Sequence, residues 1–285
     1  MRQLIRSGVT ILVLSFITVF SSSAQEQTVK KPFKNPYKKG RAFAYWGWNR
    51  GFFGNSTLKI AGDDYNLTLR NLKAHDRVTK PFLNYNDYFK LGRITIPQTN
   101  MRIGYFFKDN WAITLGVDHM KYVMDQNQVA RVEGTITREG EYKGTYNGDM
   151  VISDDFLTFE HTDGLNYINT EVERYFSLKK HPFDRINIAF MLGGGAGILF
   201  PKTNAKFLDY ERNDRFHVSG YGVSAKAGVE FIFFKHITLK GEAKQGFINM
   251  PNIILHEKGI NGKGKQHFGF TELAATIGWN FRVHK

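Results

Sequence analysis

From Trp111 the chain alternates strictly: Trp111, Ile113, Leu115 and Val117 share one face, and Ala112, Thr114, Gly116 and Asp118 the other. A repeat of two marks an extended strand, because successive side chains point to opposite sides, whereas a helix repeats about every 3.6 residues. The preceding stretch behaves alike, with Met101, Ile103, Tyr105 and Phe107 against Asn100, Arg102, Gly104 and Phe106. Only Lys108, Asp109 and Asn110 separate the two, which predicts an antiparallel hairpin with a tight turn.

The unit recurs. Tyr221, Val223, Ala225, Ala227, Val229, Phe231 and Phe233 alternate with Gly222, Ser224, Lys226, Gly228, Glu230 and Ile232. After a turn at Lys235-His236, Leu239, Ala243 and Phe247 oppose Lys240, Glu242 and Lys244. A third pair joins 164–178 to 186–200 through a short basic connection. The last strand, 267–281, sets Leu273, Ala275, Ile277, Trp279 and Phe281 against Glu272, Ala274, Thr276, Gly278 and Asn280. An aromatic first strand, 41–51, completes a set of about eight, each about 11 to 16 residues long, against the roughly 9 to 11 that cross a bilayer at a tilt.

Connections alternate in length. The intervals 52–96, 125–163, 201–218 and 250–266 are long, and those at Lys108, Lys179 and Lys235 are short. Bacterial transmembrane barrels show this asymmetry, with short periplasmic turns and long outer loops, and an even strand count returns both ends to one side. Within the long intervals, 56–60, 65–73, 129–133, 135–138 and 150–159 also look β-rich, which predicts ordered hairpins above the membrane.

The chain opens with Met-Arg-Gln-Leu-Ile-Arg, an apolar run at 8–20, three serines and Ala24. These are the three parts of a secretory signal peptide, so 1–24 is expected to be removed. Beyond it no apolar run approaches the roughly 20 residues of a membrane helix. With no cysteine, the chain has neither disulfides nor the lipid-bearing thiol of a lipoprotein. Residues 25–40 carry Lys30, Lys31, Lys34, Lys38 and Lys39 among Pro32, Phe33, Pro36 and Tyr37, the composition of a solvated periplasmic leader. The barrel domain is then 41–285.

The formal charge of +13 falls to +11 once Arg2 and Arg6 leave with the signal. The remaining basic residues are scattered, and an exported chain rarely meets nucleic acid, so none is expected as a partner. Aromatics, 15% of the chain, gather near the short turns. Phe106, Phe107, Trp111, Phe176, Phe183, Phe231, Phe233, Phe234, Trp279 and Phe281 would form a girdle facing lipid on the periplasmic side.

These features together resemble the small outer-membrane barrels of the OmpA transmembrane-domain and OmpX kind. The resemblance covers 41–281 and rests on architecture, and the extension Arg282-Val283-His284-Lys285 departs from the usual aromatic end. It implies an all-β, up-and-down antiparallel barrel in the outer membrane, with lipid as its surroundings. The alternative, a soluble periplasmic barrel that binds a ligand, would turn the apolar faces inward. Polar faces rich in Gly and Ala suit a narrow crowded interior and favour the membrane form.

On that reading Arg102, Asp118, Glu171, Glu173, Lys226, Glu230, Lys240, Glu242, Lys244 and Glu272 all point into the lumen. An eight-stranded barrel is filled by side chains, so these charges are expected to pair with one another as a plug. His217-Val218-Ser219 followed by Glu230 is similar to the catalytic arrangement of outer-membrane lipid A deacylases, since a serine needs a base and the base an orienting carboxylate. However, His217 and Ser219 have lipid-facing parity, Glu230 the opposite, and about 35 Å of strand lies between Ser219 and Glu230. Gly220 also replaces that family's Asn.

His161 and Asp163 before Gly164 are too few for a metal site and read as turn chemistry. Gly193–Gly197 lacks the lysine and helix of a phosphate loop and suits close backbone packing. No cofactor or metal is expected. The leading function is a monomeric, non-enzymatic barrel that displays the loops 52–96 and 125–163 to a surface partner or supports envelope integrity. A lipid A-modifying enzyme and a narrow transporter of small or hydrophobic molecules are the alternatives.

Overall fold

In a computed structural model, the structure describes residues 35–78, 98–178, 186–213 and 215–283. The described residues are all-β, with fourteen strands and no helix: β1 (Arg41–Phe53), β2 (Ser56–Gly62), β3 (Tyr65–Leu72), β4 (Ala74–Asp76), β5 (Thr99–Lys108), β6 (Trp111–Met124), β7 (Gln128–Ile136), β8 (Gly144–Ile152), β9 (Leu157–Ser177), β10 (Ile186–Leu199), β11 (Asn204–Phe207), β12 (Gly220–Phe233), β13 (Ile237–Ile254) and β14 (Gly262–Arg282). Residues 1–34, with the expected signal peptide and most of the leader, 79–97 in the first long connection, and the connection 179–185, with Phe183, lie outside the described residues.

Eight of these strands close a barrel in the order β1-β5-β6-β9-β10-β12-β13-β14, every pair antiparallel. The ring is completed by β14 against β1, in register from Arg41 opposite Arg282 to Phe53 opposite Phe270. Closure satisfies the backbone groups that an open edge would leave bare. At the short-turn end, Asn110 (φ 63°) and the pair Phe234 and Lys235 (φ 53° and 72°) adopt left-handed backbone to reverse the chain. Glycine is required in β10: a Cβ on Gly195 would lie 1.9 Å from the Thr170 carbonyl oxygen, and one on Gly197 2.1 Å from that of Ile168. The run of glycines thus serves close approach of β9 and β10, as the sequence implied.

The alternation sorts the two faces. Met101 and Ile103 are each 59% exposed on the outside, and Ile113, Leu115, Val172, Leu192, Val223, Val229, Leu239, Leu273 and Ile277 join them around the wall. Residues of opposite parity are buried inside. The apolar face is therefore the outer one, which removes the soluble ligand-binding barrel.

The long connections extend the wall. Beyond His267, β14 leaves β1 and pairs with β2, and β2, β3, β7 and β8 continue the sheet. On the other side β4 adds to β6, and β11 to β9. Three boundaries move outward from the sequence reading, since β9 starts at Leu157, β13 runs to Ile254 and β14 starts at Gly262. Tertiary pairing carried these segments past the point where the apolar signal fades.

Candidate functional site

The interior has three layers. The first, at the short-turn end, is aromatic: Phe43, Tyr45, Phe106 and Tyr175 pack with Ala112, Ala189, Met191 and Ile232. Tyr37 enters it from the leader, fully buried, its ring stacked 4.8 Å from Tyr175 and edge-on to Phe106 at 5.8 Å. The segment is fixed by its backbone: Asn110 N–H donates to the Tyr37 carbonyl (2.8 Å), Asn280 Nδ2 to the Pro36 carbonyl (3.2 Å), and Lys39 N–H to Asp109 (2.8 Å). Around Tyr37 the leader is therefore a plug and not a solvated chain. Phe106 also lies inside, out of the girdle, on the inward parity it shares with Arg102 and Gly104, whereas Phe107 keeps the outward parity of Ile103 and Tyr105.

The second layer holds all ten lumen charges, none more than 5% exposed. Arg102 lies 2.7 Å from Glu171 and 3.0 Å from Asp118. Lys226 is 2.6 Å from both Glu171 and Glu173 and 3.4 Å from Glu242. Lys244 pairs with Asp118 and lies 2.9 Å from Glu171. Lys240 is 3.5 Å from Glu242 and sits 3.9 Å above the Tyr45 ring. Glu272 accepts from Asn100 Nδ2 at 2.6 Å, and Glu173 from the Tyr175 hydroxyl at 2.5 Å. Glu230 faces Tyr37 and Lys240 at the aromatic layer. Ion removal from water costs several kcal/mol per charge, so such groups persist only in mutual contact. Six strands contribute; inward parity turns the charges to the lumen, and the register of the strands sets which of them meet.

The third layer is an apolar core roofed by the extended sheet. Leu58, Ile60, Leu67, Leu69, Val132, Ile136, Phe156, Phe159, Ile248, Ile253 and Phe268 are among its buried members. His161 lies within it on β9, not in a turn: its ring is bonded to Thr203 (2.9 Å) and Gln266 (3.2 Å). Burial pushes its pKa down to about 4, so it stays neutral near pH 7. Tyr65, whose hydroxyl meets His256 Nε2 at 2.6 Å, and Tyr122, whose hydroxyl lies 2.9 Å from Ser56 Oγ, are buried in the same layer. On the rim Arg138 binds Asp209 (2.6 Å) and Asp64 (3.3 Å), tying β7's end to the 208–209 turn.

His217, Ser219 and Glu230 are not brought together. Ser219 is buried, against its outward parity, because it precedes β12, which begins at Gly220; its N–H donates to the Leu199 carbonyl at 2.9 Å. His217 Nε2 lies 2.8 Å from the Asn252 carbonyl. Glu230 is at the other end of β12, opposite Lys240. A serine hydroxyl this far from its carboxylate has no relay.

Of the ten aromatics expected in the girdle, eight sit on the outside at the short-turn end, the exposed Phe234 among them. Phe107, Phe176, Phe231, Trp279 and Phe281 are exposed, Trp111 and Phe233 partly so. Arg174 spans Trp111 and Phe176 at 5.1 and 4.8 Å, and His236 stacks on Trp279 at 5.2 Å. The sequence reading missed Tyr37 and the apolar core under the outer sheet. The second was signalled by the alternation in 56–72, but nothing marks Tyr37 among its lysines.

No family model matches the chain, and no curated protein does. Similar solved structures include outer membrane protein OprG from Pseudomonas aeruginosa, 14% identical over 86% of this chain and 98% of that one, with a TM-score of 0.40. Neisserial surface protein A is 9% identical over 85% and 97%, at 0.36. Ail, the attachment invasion locus protein of Yersinia pestis, is 11% identical over 85% and 99%, at 0.31. At these scores they add nothing to the barrel that the strand pairing itself shows.

Proposed function

We propose that the protein is an exported, integral outer-membrane barrel with a closed lumen, non-enzymatic, whose role is to hold an ordered β-sheet above the membrane for contact with a surface partner. The observation that carries this reading is the inside-out distribution of polarity. Large apolar side chains cover the outside of the barrel wall, whereas ten charges are buried within it. A soluble protein rarely exposes contiguous apolar surface beyond a few hundred Å². In a bilayer the same belt is satisfied by lipid.

A closed lumen follows from its contents: aromatic rings at one end, paired charges in the middle, and an apolar core at the other. That argues against the transporter reading. What remains outward is the sheet β2-β3-β7-β8, formed by 56–72 and 128–152, where β8 is hydrogen-bonded to β7 alone among the named strands. A free edge can accept a partner strand through backbone bonds.

Fractionation of a Gram-negative host tests the placement. The protein should be found in the outer membrane, with a gel mobility that changes on boiling as the barrel opens. Recovery in the soluble periplasmic fraction without detergent would overturn it.

A further inference from the structure

The outward stripe of β14 changes character along its length. From the short-turn end it reads Phe281, Trp279, Ile277, Ala275, Leu273, Thr271 and Gly269, then His267, Lys265 and Lys263. The twelve steps from Phe281 to Gly269 cover about 40 Å of strand, or about 30 Å along the membrane normal at a tilt near 40°. That matches a hydrocarbon core of about 30 Å. The three basic residues therefore begin where the apolar belt ends.

The neighbouring strand reinforces them. Lys59 on β2 lies directly opposite Lys265, and both are exposed. Two like charges facing each other on a sheet are unfavourable unless an anion relieves them. The acids of this face are already engaged: Glu133 binds Arg70 and Arg131, Asp76 lies beside Arg50, and Asp63 accepts from Asn261. None of the ion pairs among the described residues takes up Lys59, Lys263 or Lys265.

Just below the cations the wall has a notch of 360 Å³, lined by Phe52, Gly54, Gln245, Gly269 and Thr271 among others. Gly269 faces outward, and a Cβ there would meet only the Gly246 carbonyl oxygen, at 3.8 Å. The notch thus exists because Gly54 and Gly269 lack side chains. Phe247, paired across the strands with Gly269, has its ring centroid 6.2 Å from that of His267.

We infer that this notch and the cations above it form a site for a phosphate-bearing lipid of the surrounding outer leaflet. The phosphate sits on Lys59, Lys263 and Lys265, the polar linkage beside Gln245 and Thr271, and the acyl chains run down the stripe over Leu273 and Ala275. The chemistry is that of an anionic amphiphile: phosphate alone would leave the apolar notch empty, and an uncharged lipid would leave the lysines facing each other. The inference rests on the membrane placement proposed above.

The test uses the protein refolded in detergent micelles, titrated with dimyristoylphosphatidylglycerol and read by native mass spectrometry. The wild type should retain one lipid more tightly than the phosphatidylcholine analogue, and inorganic phosphate should not displace it. Lysines near an anionic surface contribute about a factor of five each, so Lys59→Gln/Lys263→Gln/Lys265→Gln should bind roughly a hundredfold more weakly. Gly269→Phe fills the notch without changing charge and should also weaken binding. Removing three charges at the opposite rim, with Lys38→Gln/Lys39→Gln/Arg282→Gln, should leave it unchanged. Equal binding by the wild type and the triple lysine variant, displacement by free phosphate, or equal loss in the opposite-rim variant would overturn the site. A wild type that forms a barrel yet retains no phosphatidylglycerol sinks this inference alone. Failure to form a barrel in micelles or vesicles sinks the membrane placement with it.

Discussion

Arg102 on β5 reaches Glu171 on β9 across the width of β6, at 2.7 Å, while holding Asp118 at 3.0 Å. One guanidinium thus ties three neighbouring strands through the inside of the barrel. Replacing it by alanine leaves two carboxylates buried beside too few cations. Losing one partner of a buried pair costs about 3–5 kcal/mol. Arg102→Ala should lower stability by that amount, measured by urea unfolding in micelles and followed by tryptophan emission. Lys59→Gln, on the exposed outer face, should change it by no more than about 0.5 kcal/mol.

Tyr37 gives a second prediction. Its ring is buried between Tyr175 and Phe106. Truncating a buried aromatic costs about 3–5 kcal/mol where the site cannot collapse. Tyr37→Ala should fall near the lower end, since Lys38 and Lys39 beside it are exposed, and should speed hydrogen exchange at the β5–β6 turn. An unchanged stability would show that the segment is not seated.

The barrel was legible in the sequence because each transmembrane stretch must turn one face to lipid and the other to a polar interior. Trp111 to Asp118 shows that demand residue by residue. The inward parity of Arg102, Glu171 and Lys226 was equally plain, but parity gives a face and not a partner. Which acid each base meets depends on strand stagger, which the sequence does not display. The outer sheet was legible as strand segments at 56–60, 65–73, 129–133 and 135–138, but 144–149 of β8 went unread, the segment 150–159 spans the turn between β8 and β9, and the continuation of β14 was not visible. That pairing joins residues about two hundred positions apart, Lys59 with Lys265. His161 looked like turn chemistry beside Asp163 and Gly164 because the partners of its ring, Gln266 and Thr203, come from distant parts of the chain.

A third prediction concerns the outer core. Leu67 on β3 is fully buried among side chains of the outer sheet, away from the charged layer. Leu67→Ala should cost about 2–5 kcal/mol of local stability. Limited proteolysis should then cut within 125–163 while the barrel resists. If fragments appear from the barrel strands at the same rate, the outer sheet and barrel unfold as one unit.

The fourth is a pH dependence. His161 is held neutral when folded, with a pKa of about 4 against its ordinary 6.5. Between those values the unfolded segment binds a proton that the folded one refuses, so stability is full above pH 6.5 and falls as the pH drops toward 4. The loss is on the order of 3 kcal/mol by pH 4. Hydrogen exchange of β9 at pH 7 and pH 5 should show faster opening at the lower pH. His161→Gln should flatten the dependence.

The central claim is that the apolar outer face meets lipid, and the absence of cysteine allows it to be probed one site at a time. Nitroxides attached through Ile113→Cys, Leu115→Cys and Leu273→Cys in reconstituted vesicles should collide readily with oxygen, which concentrates in the bilayer, and poorly with a water-soluble nickel chelate. Asn147→Cys, on the outer sheet, should show the reverse. Ready access of the chelate to Leu115 and Leu273 would place that face in water and contradict the account.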